Sequence, residues 1–163
     1  MFIDAIERLY AYQRESNNPL FKVASAISAH DFTGVIVDGQ PSIRVTLFHM
    51  IEVIETHFAW WSFAEDGIYP KLKERDSRDF KDSESIQKYW ESIDDEVSKC
   101  VESITSDDQL NRPYKRAFAD GSSNTRILWE MMLHVTNHGT QHRSEVAMML
   151  TKLEHSPGDM EIL

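Results

Sequence analysis

The segment His134-Val135-Thr136-Asn137-His138-Gly139-Thr140-Gln141-His142-Arg143 carries three histidines spaced four residues apart. Four residues of α-helix make about 400° of turn, so each imidazole lies roughly 40° round from the last and one turn further on. A neutral imidazole is the commonest protein ligand for a borderline transition metal, and two at i, i+4 can grip one ion. A third ligand must come from elsewhere. His49 is the candidate, flanked by Leu47, Phe48, Met50 and Ile51 on the inner side of another helical pattern.

One ion cannot use the whole ladder. Metal–nitrogen bonds are about 2.0–2.1 Å, whereas successive turns are about 5.4 Å apart. Either His134 and His138 or His138 and His142 bind, and the leftover histidine is a neighbour or purely structural. Gly139 beside His138 leaves room for close approach, and Arg143 and Glu145 follow His142. Other metal motifs do not fit. No Glu stands between His138 and His142 to act as the base of a metalloprotease. The cysteines of a zinc finger are missing, and so is the Glu-x-x-His spacing of a di-iron bundle, although Glu52 and Glu55 follow His49. Three neutral imidazoles leave coordination positions open, which is the catalytic arrangement.

The remaining histidines have plainer readings. His57, near Phe58, Trp60 and Trp61, is expected to be a partly buried polar tip, and His30 and His155 are expected to be solvated or capping residues. The single cysteine, Cys100, forbids an internal disulfide and reads as a half-buried inert thiol.

Composition narrows the class. Apolar residues make up 41% and charged residues 27%, values of a globular chain. The 163 residues suffice for one domain, spanning 1–163. Lys and Arg number 17 against 27 Asp and Glu, a net charge of −10 that repels nucleic-acid phosphates and anionic membranes. No apolar run approaches the ~18–20 residues of a membrane span. The first residues lack the basic start and apolar run of a secretory signal, so the cytoplasm is the expected compartment.

The elements that must position the histidines are mostly helical. A stripe over residues 2–12 (Phe2, Ile6, Leu9, Tyr10, Tyr12) continues through Leu20, Val23, Ala24 and Ile27, with Pro19 predicting a kink or a break. Residues 30–39 form a connector. Ser42 caps a second helix running to about 63, and a loop with Gly67 and Pro70 follows. Asp82 or Ser83 opens a third helix to 104. Residues 107–123 read as irregular, with Asp120-Gly121 able to join a short hairpin. Asn124 or Thr125 starts the last long helix, which reaches about 153 before Ser156-Pro157-Gly158. The expected fold is all-α, a four-helix bundle with ligands projecting inward from facing helices.

These segments resemble a known family. Ser42-Ile43-Arg44-Val45-Thr46-Leu47-Phe48-His49-Met50, with Trp60-Trp61, is similar to the second helix of the DinB/YfiT-like superfamily. Residues 133–146, with the pattern H-x-x-N-H-x-x-x-H-R, resemble its fourth helix, and Pro157-Gly158-Asp159-Met160-Glu161 resembles its tail. The resemblance implies an up-down-down-up bundle holding one divalent metal through His49, His138 and His142, which makes His134 a neighbour. It also implies a homodimer, and for some members an enzyme using a low-molecular-weight thiol or a metal-dependent hydrolase.

Two functional readings follow. In the first, a Zn²⁺ or Ni²⁺ ion, with iron or copper as alternatives, lowers the pKa of water or a thiol and drives a transferase or hydrolase, with Glu145 or Asn137 orienting a ligand. In the second, the site is a non-enzymatic, stress-associated binding module whose pocket is lined by Phe48, Trp60 and Met131. A third and blander reading has the histidines merely packing, and it predicts no stoichiometric metal.

Overall fold

The computed structural model describes residues 2–63, 72–117 and 120–160. Among these the chain is mostly helical: α1 (Phe2–Ala24), α2 (Ala29–Thr33), α3 (Ile43–Phe63), α4 (Ser83–Ser103), α5 (Asp107–Leu110) and α6 (Leu128–Lys152). Two short antiparallel strands, β1 (Pro113–Ala117) and β2 (Ser123–Ile127), precede α6, with Tyr114 opposite Arg126. The expected loop around Gly67 and Pro70 lies outside the described residues. No described helix is long and apolar enough to cross a membrane.

The four long helices pack in a cycle: α1 against α4 and α6, and α3 against the same two. Each contributes one apolar stripe. Ile6 and Leu20 from α1, Leu47 and Ile51 from α3, Ile86 and Val97 from α4, and Val135 and Val146 from α6 are all buried in one core. Burying such a side chain stabilises by roughly 1.5–3 kcal/mol, so these stripes dominate the packing. Polar ties fix the edges. Arg14 of α1 donates to Asp94 and Asp95 of α4, and the Tyr12 hydroxyl donates to the carbonyl of Met160 at 2.8 Å.

Several local expectations meet their physical causes here. Ser42 Oγ accepts from the Val45 N–H, and Asp82 Oδ1 accepts from the Ser85 N–H, so both residues cap helices. Helix α1 runs through Pro19 without a break. The proline denies the Glu15 carbonyl its partner, but Glu15 is exposed and water can take that place. Phe2, read as part of the α1 stripe, is 39% exposed and packs its ring edge against Trp129.

The last helix starts later than its sequence suggests. Asn124 and Thr125 are not its first residues; they pair with Arg116 and Lys115 in the hairpin, and α6 begins at Leu128. The chain turns back through Gly121, whose φ of +84° suits a residue without a Cβ, and Asp120 Oδ1 accepts from the Ser122 N–H. The Leu128 N–H then donates to the Arg112 carbonyl, tying the base of the hairpin to the start of α6.

Candidate metal centre

The seam between α3 and α6 gathers the histidines. His49 comes from α3, and His138 and His142 stand one turn apart on α6. His138 Nε2 lies 3.0 Å from His49 Nε2 and 3.1 Å from His142 Nε2. The three rings offer one nitrogen each within 4.8 Å of one another. No other group of three potential ligands this close is found among the described residues.

Glu145 fixes the chemistry of one ring. Its Oε2 is 2.6 Å from His142 Nδ1. A carboxylate only accepts, so Nδ1–H donates and, in the neutral ring, Nε2 points a lone pair at His138. His138 Nε2 thus faces two other ring nitrogens. A proton on it can be aimed at one of them. A proton on His49 Nε2 instead leaves the lone pairs of His138 and His142 facing each other. Ring protons therefore leave at least one of the two contacts poorly satisfied, whereas one cation among three lone pairs satisfies all of them.

The donor set fits a divalent transition ion. With bonds of about 2.0–2.1 Å, nitrogens 3.0 and 3.1 Å apart subtend about 90–100° at an ion, between octahedral and tetrahedral values. Burial, and after it the imidazoles of His142, His49, His134 and His57, pushes His138 down to about 4. His138 is therefore neutral at physiological pH, the form that ligates. The His49 side chain is 45% exposed against 17% for His142, so the cluster opens towards solvent on the α3 side.

The other flagged residues fall on either side. His134 is exposed, its ring 5.9 Å from His138 and 5.1 Å from His57. The His57 Nδ1–H donates to the Val53 carbonyl at 2.8 Å. These two rings border an open groove of about 600 Å³, which Trp60 and Met131 also line together with Asn124, Arg126 and Glu130. Phe48 lies elsewhere. It lines a smaller cavity of about 230 Å³ with Glu52, Glu55 and Tyr89. Asn137 is exposed and lines a third groove with Leu9, Tyr12 and Leu133, between α1 and α6. His30 is almost fully solvated and His155 is exposed.

Sequence reasoning missed a polar trio on the α3 side. The Tyr89 hydroxyl donates to Glu55 Oε2 at 2.5 Å, and Arg75 donates to both Tyr89 and Glu55. Burial, then the Glu55 hydrogen bond, pushes the Tyr89 phenol well up. Three separate segments supply these residues, so no spacing in the chain signals them.

Behind the histidines, Gly139 serves a neighbour other than the one expected. A Cβ there would collide with the Gln13 side chain of α1 and crowd Arg143. The room Gly139 makes is for α1. Arg143 is only 1% exposed; it donates to Gln13 and Thr140 and lies over the Tyr12 ring. His142 and Arg143, about 100° apart round the helix, thus lock two adjoining faces of α6, one against α3 and one against α1.

Comparison with curated proteins finds no match. A family model does match, that of the DinB family, and it covers residues 1–163. The match agrees with the helical architecture and with the three histidines on its two facing helices, and the chain belongs to the DinB family.

Proposed function

We propose that this protein is a divalent-metal-dependent enzyme of the thiol-transferase or hydrolase kind. Its frame is a four-helix bundle forming one domain over residues 1–163, and His49, His138 and His142 hold the ion. The supporting observation is the position of His138 Nε2, 3.0 and 3.1 Å from two other ring nitrogens that ring protons alone serve poorly. Zinc or nickel is the proposed ion, with iron or copper as alternatives, because three imidazoles suit all four and availability decides among them. A bound ion supplies a nucleophile at neutral pH by lowering the pKa of water or of a thiol.

The chain's own residues do the rest. Glu145 holds the His142 ring in one tautomer and orientation. The exposed flank of His49 admits a small molecule. Trp60 and Met131 give the adjoining groove an apolar wall against which a substrate stem can shed water. A homodimer in the cytoplasm belongs to the same proposal, and light scattering reads its mass.

Elemental analysis of protein purified without a histidine tag is the first test. About one equivalent of transition metal, lost in His138→Ala together with thiol transfer or amide hydrolysis, supports the proposal. Unchanged turnover after complete loss of metal would refute it.

One observation favours a second reading, a non-enzymatic metal-dependent binding module. The carboxylate nearest the cluster, Glu145, is already engaged by His142, which leaves it poorly placed as a general base. Full metal occupancy without turnover across thiol acceptors and amide substrates would select that reading.

A further inference from the structure

The groove bordered by His57 and His134 continues the three-histidine cluster along the α3–α6 seam. His134 precedes His138 by one turn, and their rings are 5.9 Å apart. His57 lies about two turns beyond His49 and faces His134 at 5.1 Å. The groove's volume of about 600 Å³ holds a small molecule with room to spare. A ligand reacting at the cluster and extending towards the hairpin would lie in it.

The lining carries one charge of each sign. Arg126 reaches it from β2 and Glu130 from the first turn of α6. Both are exposed, and among the described residues neither forms an ion pair. Their recorded hydrogen bonds are long. Arg126 donates to the Thr125 carbonyl at 3.4 Å, and Glu130 accepts from the Ile127 N–H at 3.4 Å. Trp60, nearly buried, supplies an aromatic wall, and Asn124 adds an amide. A purely anionic ligand gains from Arg126 but meets Glu130, and a purely cationic one meets the reverse. Only a group bearing both charges answers both side chains.

We propose that this groove binds the dipolar, amino-acid-like end of a small thiol, its carboxylate towards Arg126 and its ammonium towards Glu130, while the thiol reaches the three histidines. This rests on the thiol reading of the metal site and adds the class of group that the substrate carries away from its sulfur.

The test uses full-length protein loaded with Co²⁺ and three thiols, read by the thiolate-to-metal absorption band. γ-Glutamylcysteine carries both charges at its far end, glutaryl-cysteine lacks the ammonium, and 4-aminobutyryl-cysteine lacks the far carboxylate. The dipolar thiol is expected to bind about fivefold tighter than either analogue, a modest factor because both side chains face solvent. Arg126→Gln should abolish the penalty for losing the carboxylate, and Glu130→Gln the penalty for losing the ammonium. Equal affinities for all three thiols would overturn this inference and leave the thiol reading standing. No absorption band with any of them would overturn both.

Discussion

His142 Nδ1 and Glu145 Oε2 are 2.6 Å apart, one helical turn from each other on α6. The contact decides which nitrogen of His142 carries its proton and which is left for an ion. Carboxylate partners of this kind commonly tune metal affinity by about 10–100-fold. Glu145→Ala is therefore expected to weaken metal binding by about that factor, measured by competition with a chromophoric chelator. Glu145→Gln, which keeps an acceptor, should lose less.

Metal removal should lower thermal stability. At free metal 100 times its Kd, binding adds about 2.7 kcal/mol to the folded state. For a chain of this length that corresponds to a Tm shift of about 5–10 °C between EDTA-treated and metal-loaded protein. In His49→Ala the two melting curves should nearly coincide. A full shift in that variant would mean the ion sits elsewhere.

Acid should destabilise the metal-free protein through His138. Its folded pKa is lowered to about 4, chiefly by burial, from the ordinary 6.5. Between those values the unfolded chain binds more protons than the folded one, so stability falls as pH drops from about 6.5 to 4 and this contribution levels off below. Denaturant titrations in EDTA across that window read the slope, and His138→Gln should flatten it.

Gly139→Ala should cost stability by forcing Gln13 and Arg143 aside. Overpacking of this kind typically costs about 1–3 kcal/mol. The midpoint of urea unfolding in metal-free protein measures the loss. The double variant Gly139→Ala with Gln13→Ala should recover part of it, because the collision with Gln13 is gone and only the crowding of Arg143 remains.

What could be read from the chain was whatever repeats along one helix. The i, i+4 step of His138 and His142, and the apolar periods of α1, α3, α4 and α6, are local patterns, so they were legible. The choice of His142 over His134 was not legible from spacing, since both lie four residues from His138. The resemblance favoured His142, and the fold places His142 and His49 beside His138 while His134 turns towards His57. The start of α6 was misjudged because Asn124 and Thr125 are good caps locally, yet strand pairing with residues eight and ten positions away claims them. The Glu55–Tyr89–Arg75 trio and the Arg126/Glu130 groove arise from tertiary packing, which leaves no trace in residue spacing.

The diverging side chains of His142 and Arg143 limit how this stretch can change in length. One residue inserted or deleted between His138 and Arg143 would turn everything downstream by about 100° about the axis of α6. Either His142 would swing out of the α3 seam or the guanidinium would lose its seat on α1 beside Gln13 and Tyr12. Side chains facing water in that stretch, such as Gln141, can be exchanged freely, but the number of residues cannot.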